Sequence, residues 1–338
     1  MAVILWYMVK CTFLLFLVTF TQLAFAQEGV KKLDPNLSNY RYPFEVEYLE
    51  LNIQKKSLSM AYMDVKAAVP NNRNIVLLHG KNFNGAYWET TVEALTNNGY
   101  RVIVPDQIGF GKSSKPQEFQ YSFHQLAANT KALLESLQIE KAAILGHSMG
   151  GMLATRFALM YPDLTEKLIL VNPIGLEDYK RLVPYQPVDW WYKNELEKDY
   201  RQIKQYQIDN YYDGKWKPEY EEWVNILAGW TLHEDYSLVA WNAALTYDMI
   251  FTQPVVHEFK DVKAPTLLII GTRDRTALGK ALVEESVRKT MGLYPELGKE
   301  TNEKIQDSRL IELEGIGHLP HIESFEEFIA PLLDFLSK

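Results

Sequence analysis

Ala142-Ala143-Ile144-Leu145-Gly146-His147-Ser148-Met149-Gly150-Gly151 is the stretch on which the reading of this chain turns. Its first four residues form a short apolar run, the kind found in strands buried on both faces. A helical pattern starts at Met149 and continues to Met160. Between the two, Gly146-x-Ser148-x-Gly150 marks a sharp strand-to-helix turn. A serine on such a turn is held in a strained conformation with its hydroxyl exposed at the carboxyl end of the strand, and the flanking glycines leave room for neighbouring backbone. The same turn puts the Met149 N–H at a helix start, where amide and dipole together can hold a developing oxyanion. The bland alternative is a glycine-rich helix cap with an inert Ser148, and the strand before and helix after weigh against it.

Outward from this turn the pattern repeats. Residues 74–78, 101–104, 167–171, 266–270 and 310–313 are further short apolar runs, read as strands buried on both faces. Helical stretches lie between most of them, at 86–96, 122–137, 148–160, 280–290 and 324–336. Alternation of this kind predicts an α/β fold, a mostly parallel central sheet with helices on both faces. Residues 45–53 and 57–64 alternate apolar and polar, which predicts a leading antiparallel hairpin at the edge. From 176 to 251 no buried-strand run occurs and aromatic residues crowd in, among them Trp190, Trp191, Tyr211, Trp223 and Trp230. That segment reads as a helical cap inserted into a core made of 27–175 and 252–338.

Serine is a weak nucleophile near neutral pH and needs a base and an orienting acid. His318 sits in Glu314-Gly315-Ile316-Gly317-His318-Leu319-Pro320, a loop after the last strand, and is the expected base. His321 is its rival, but it begins to enter the final helix. His79 ends a strand and reads as turn support, while His147 is pinned beside the serine and aimed away from it. His124, His233 and His257 have no turn that would point them at Ser148. For the acid, the run at 266–270 opens into Gly271-Thr272-Arg273-Asp274-Arg275, so Asp274 can reach a histidine on the next strand; its bland role is an ion pair with either arginine. The end of the preceding strand, Val171-Asn172-Pro173, offers an asparagine instead of a carboxylate.

These motifs together resemble the α/β-hydrolase superfamily: His79-Gly80 after a strand, D-x-x-G-x-G-x-S at Asp106 to Ser113, G-H-S-M-G-G, a late Asp274 and G-x-G-H ending at His318. The resemblance implies Ser148 as nucleophile, His318 as base, Asp274 as orienting acid, and the backbone N–H groups of Met149 and Lys81 as oxyanion hole, with Asn82 a neighbour for the second donor. It also makes 176–251 the family's variable cap. Phe83, His147, Trp190 and Trp230 are the residues expected against substrate. Haloalkane dehalogenases and most epoxide hydrolases of this fold carry aspartate where this chain has Ser148, so both readings weaken. The H-G-G-P-G loop of proline iminopeptidases and many C–C bond hydrolases is replaced by His79-Gly80-Lys81-Asn82-Phe83.

Composition agrees with a folded enzyme. Of 338 residues 47% are apolar and 23% charged, and 35 basic against 43 acidic residues give a net charge of −8 with no long basic run. Nucleic acid is therefore not an expected partner. Gly109-Phe110-Gly111-Lys112-Ser113 fails as a phosphate loop because Asp106 stands where its first glycine belongs, and Ser114 denies a dinucleotide fingerprint. No H-E-x-x-H occurs, so neither metal nor cofactor is expected. The single cysteine, Cys11, lies in an N-terminal apolar stretch closed by Ala24-Phe25-Ala26. Residues 1–26 read as a signal peptide, which implies a secreted or periplasmic protein free of the membrane after cleavage; a retained anchor is the alternative. The expectation is a serine hydrolase of carboxylic esters acting on a small molecule with apolar surface. Its alternatives are the same triad used for C–C hydrolysis or perhydrolysis, and a non-catalytic binding module on the same fold.

Overall fold

The computed structural model describes residues 29–338; the N-terminal stretch read as a signal peptide, with Cys11, lies outside the described residues. The elements are β1 (Glu47–Ile53), β2 (Lys56–Val65), β3 (Asn74–Leu78), α1 (Glu89–Asn97), β4 (Arg101–Pro105), α2 (Phe123–Ser136), β5 (Ala142–His147), α3 (Met149–Met160), β6 (Thr165–Val171), α4 (Val188–Leu196), α5 (Tyr200–Asn210), α6 (Glu221–Thr231), α7 (Tyr236–Thr252), β7 (Thr266–Gly271), α8 (Tyr294–Lys304), β8 (Ser308–Leu313) and α9 (Phe325–Ser337). Strand order across the single sheet is β1-β2-β4-β3-β5-β6-β7-β8. The hairpin β1–β2 joins β4 antiparallel, and every later pairing is parallel. The α/β architecture read from the alternation is the one observed. Core residues lie on both faces, one side built around Leu126, Leu153 and Phe157 and the other around Trp88, Leu95 and Leu332. Among the described residues no helix is long and apolar enough to cross a membrane.

Local signals explain most boundaries. Ser122 caps α2 by accepting from the Gln125 N–H at 3.0 Å. Asp199 and Gln202 form a reciprocal capping box at the start of α5. Two expectations need correction. The helix between β7 and β8 is not at 280–290, where only the short turns Lys280–Leu282 and Glu285–Arg288 form. It is α8, which begins after Gly292 at φ 66° and has a proline in its first turn, as suits a helix start. The last strand, β8, is also only half-buried rather than buried on both faces, because it is the edge strand.

Between β6 and β7 lie α4 to α7 and no strand. The segment before β1, which the sequence marks only as polar, packs across α6. Leu33 and Leu37 are buried there, the Leu33 N–H donates to Gly229 O at 3.0 Å, and Trp230 Nε1 donates to Asp34 O at 3.1 Å. Residues 29–44 are thus a strap between α6 and the core.

Candidate active site

Ser148 separates β5 from α3 with φ 56° and ψ −121°, a left-handed φ for a residue with a side chain. The three glycines around it are dictated by contact. A Cβ on Gly146 would stand 2.0 Å from Gly150 O, one on Gly150 2.2 Å from Leu78 O, and one on Gly151 2.4 Å from the Pro173 side chain. Any alanine here would collide with backbone or a rigid ring. Ser148 opens α3 without capping it by a side-chain hydrogen bond, so its hydroxyl is not spent on the helix. The inert-cap alternative loses its physical basis. Strain at such a φ costs on the order of 1–3 kcal/mol and persists because the surroundings leave no alternative.

Asp274 follows β7 and His318 follows β8, both at the same carboxyl edge as Ser148. His318 Nδ1 lies 2.6 Å from Asp274 Oδ2, and both side chains are buried. With a carboxylate as acceptor, the neutral ring carries its proton on Nδ1, which leaves the lone pair on Nε2. The carboxylate is itself held. Asp274 Oδ2 also accepts from Asn172 Nδ2 at 2.9 Å, Oδ1 accepts from the Thr276 N–H at 2.8 Å, and Asn172 Oδ1 accepts from the Gly271 N–H at 3.0 Å. Asn172, met in the sequence only as a missing carboxylate, is the side chain that holds Asp274. Neither neighbouring arginine pairs with the Asp274 carboxylate: Arg273 reaches Glu323 and Gly315 O, and Arg275 reaches backbone carbonyls.

A second network ties the nucleophile turn to the histidine loop. His147 Nε2 lies 2.8 Å from His318 O and donates to it; His147 Nδ1 then accepts from Tyr87 Oη at 3.1 Å, and Tyr87 Oη in turn accepts from the Gly80 N–H at 3.0 Å. Burial, and then electrostatic interaction with the neighbouring His318 and His321 rings, hold the His147 pKa well below that of free imidazole. It is a neutral strut between two loops. His79 Nε2 accepts from the Gln107 N–H at 3.0 Å, so its Nδ1 donates to Gly80 O at 2.9 Å and fixes the turn that carries Lys81. Asp106 braces the same region through Gly85 N and Lys112 N, each at 2.7 Å, and a Cβ on Gly111 would meet its carboxylate at 2.0 Å. His321 packs at 4.4 Å against the Trp88 ring, with neither ring nitrogen hydrogen-bonded among the described residues.

Met149 is the first residue of α3, where a helix supplies no acceptor to its own amides, and Lys81 is on the loop after β3, next to Gly80, where a Cβ would stand 3.1 Å from the Ser148 Cβ. Next to this loop a cavity of about 560 Å³ extends beneath the segment between β6 and β7. Lys81, Asn82, Phe110, Tyr206, Trp230 and Tyr247 are among its walls. Of the four residues expected against substrate, Trp230 lines it; Phe83, His147 and Trp190 do not. Phe83 stacks on Tyr87 at 4.8 Å, and Trp190 packs edge-on against Trp191, so both serve packing. Tyr211 was not singled out beyond the aromatic crowd, yet its ring stacks on His318 at 4.9 Å and its hydroxyl accepts from Asn82 Nδ2 at 2.9 Å. No sequence signal separates it from the other aromatics nearby.

Comparison with known proteins bears on the fold. A family model described as the alpha/beta hydrolase fold matches residues 73–324. A crystal structure of a probable hydrolytic enzyme from Pseudomonas aeruginosa PAO1 is 49% identical, with a TM-score of 0.89, over 90% of this chain and 98% of that one. A putative non-heme chloroperoxidase from Synechocystis is 29% identical over 65% of this chain and 79% of its own. An uncharacterised protein of Mycobacterium tuberculosis is 40% identical over 102 residues, which are 30% of this chain and 29% of that protein. The match therefore spans under a third of that relative's length.

Proposed function

Since the chain belongs to the alpha/beta hydrolase family, we propose that it cleaves a carboxylic ester through an acyl-enzyme formed on Ser148. His318 Nε2 takes the hydroxyl proton as Ser148 Oγ attacks the carbonyl carbon, and the N–H groups of Met149 and Lys81 receive the oxyanion. The tetrahedral intermediate collapses, His318 returns the proton to the departing alcohol, and water, activated by the same histidine, releases the acid. Asp274 keeps the Nδ1 tautomer and stabilises the imidazolium, and Asn172 keeps Asp274 in place. The observation that carries this reading is the Ser148 turn: a left-handed backbone and a hydroxyl excluded from capping suit a nucleophile and nothing structural. The substrate is a small molecule with apolar surface, in keeping with the aromatic walls of the cavity. The apolar residues before Gln27 favour export, and 176–251 acts as the cap.

The test is intact mass after exposure to a fluorophosphonate. One adduct, lost in Ser148→Ala, is expected, together with turnover of short-chain activated esters. An adduct on a folded Ser148→Ala protein, or none on the wild type, would sink the reading. Product analysis on a vinylogous diketone separates ester from C–C cleavage.

A further inference from the structure

The cavity next to the Lys81 loop is not uniformly apolar. Its charged walls are Lys81, Glu195, Lys198 and Glu197: the Lys81 and Glu195 side chains are buried, that of Lys198 is 32% exposed, and Glu197 is exposed. Glu195 is committed to Lys198, whose Nζ stands 2.6 Å from Oε1. Lys81 Nζ is 4.0 Å from that same oxygen, beyond hydrogen-bond range, and lies 3.6 Å from the centroid of the Tyr247 ring. Two lysine amines thus share one buried carboxylate. A second polar group also lacks a hydrogen bond: Gln207 on α5 is 1% exposed, lines the same cavity, and neither its Nε2 nor its Oε1 is hydrogen-bonded among the described residues. Buried amides in folded proteins almost always find partners, and a buried ammonium without an acceptor is costly.

A neutral, wholly apolar substrate would leave both groups unsatisfied. We infer that this cavity is a subsite for a carboxylate carried by the substrate, received by the Lys81 ammonium and the Gln207 amide N–H. The inference rests on the ester-hydrolase reading and narrows it to half-esters or lactones of short dicarboxylic acids. Lys81 sets the length. In the proposed oxyanion hole its backbone amide faces the reacting carbonyl, while its side chain lines the cavity, so one lysine side chain separates oxyanion from carboxylate. Burial, opposed by attraction to Glu195 and reinforced by repulsion from Lys198, brings Lys81 down to about 7. An anion that binds there raises it again, and the charge is restored on occupancy.

Calorimetry on Ser148→Ala, which holds substrate without turning it over, tests this with monomethyl glutarate against dimethyl glutarate at pH 6. The half-ester is expected to bind at least tenfold more tightly, and Lys81→Met and Gln207→Leu should each pull that ratio towards one. Equal affinities, failure of either ester to bind at millimolar concentration, or a preference that survives both substitutions overturns the inference. The two substitutions lie on different elements, and the ratio on the unsubstituted subsite needs neither to fold. Fluorophosphonate labelling of the wild type reports separately on the nucleophile. A labelled Ser148 with no anion preference sinks the subsite alone; an unlabelled Ser148 sinks the hydrolase reading and leaves calorimetry to judge the subsite.

Discussion

Asp274 has two oxygens and three donors, and the sharing between them decides how His318 is oriented. Oδ2 accepts from both His318 and Asn172, while Oδ1 is held by the Thr276 N–H. Removing the Asn172 amide leaves a buried carboxylate short of one donor, and hydrogen bonds to charged groups are worth about 1.5–3 kcal/mol. Asn172→Ala is therefore expected to lower kcat by roughly 10- to 100-fold. KM should change little, because Asn172 is not among the walls of the cavity, and steady-state kinetics on an activated ester separates the two. Asn172→Asp should be worse still, since two carboxylates would face each other in a buried site. A fall in KM affinity with kcat intact would show that Asn172 belongs to the pocket wall and not to the acid. Asn172 also shows where sequence reading stops at this scale. Ser148, Asp274 and His318 were legible because each sits in a glycine-marked loop after a strand, whereas Asn172 and Tyr211 act through contacts 102 and 107 residues away in the chain.

At the scale of elements, the strap and α6 meet at a glycine. A Cβ on Gly229 would lie 2.5 Å from Lys31 O and 2.8 Å from Leu33 Cγ, so the helix can approach the strap only because that side chain is absent. Glycine to alanine inside a helix normally stabilises by about 1 kcal/mol. Gly229→Ala is expected to do the reverse here, lowering the denaturant midpoint and making residues 29–44 sensitive to protease. A rise in stability would mean that the strap yields at no cost. The strap was invisible in the sequence for the same reason that the α8 position was: neither depends on period or punctuation alone. Strands β3 to β7 were legible because burial on both faces demands unbroken apolar runs. The strap instead places single apolar residues, Leu33, Leu37 and Tyr42, among polar neighbours. Lys280–Thr290 has helical composition, but Gly292 and the Pro295 start move the helix that packs on β7 and β8 to α8.

For the molecule as a whole, buried bases set the pH of greatest stability. Burial depresses His147 and His79, and His321 to about 3, against an ordinary imidazole near 6.5. Burial likewise brings Lys81 and Lys115 to about 7, from an ordinary lysine value of 10.5. In each case the unfolded chain holds the proton over a range in which the folded chain does not. Stability therefore rises with pH across that range: from about 3 to 6.5 for His321, and from about 7 to 10.5 for the two lysines. Each group adds at most about 1.4 kcal/mol per pH unit within its window. At the alkaline end the buried tyrosines turn the slope over, since Tyr87, Tyr211 and Tyr294 are raised by burial and keep their protons when folded. The free energy of unfolding is thus expected to climb from pH 5 and to peak between about pH 8 and 10, above the usual window of pH 5 to 8. Denaturant titrations at five or six pH values would show it. Lys115→Met should flatten the limb between pH 7 and 10, because among the described residues that amine donates only to the Gly111 and Ser113 carbonyls and has no carboxylate partner in hydrogen-bond range. A maximum near neutrality, unmoved by Lys115→Met, would mean that both lysines stay charged in the folded protein, and the Lys81 charge would then be present before any anion arrives.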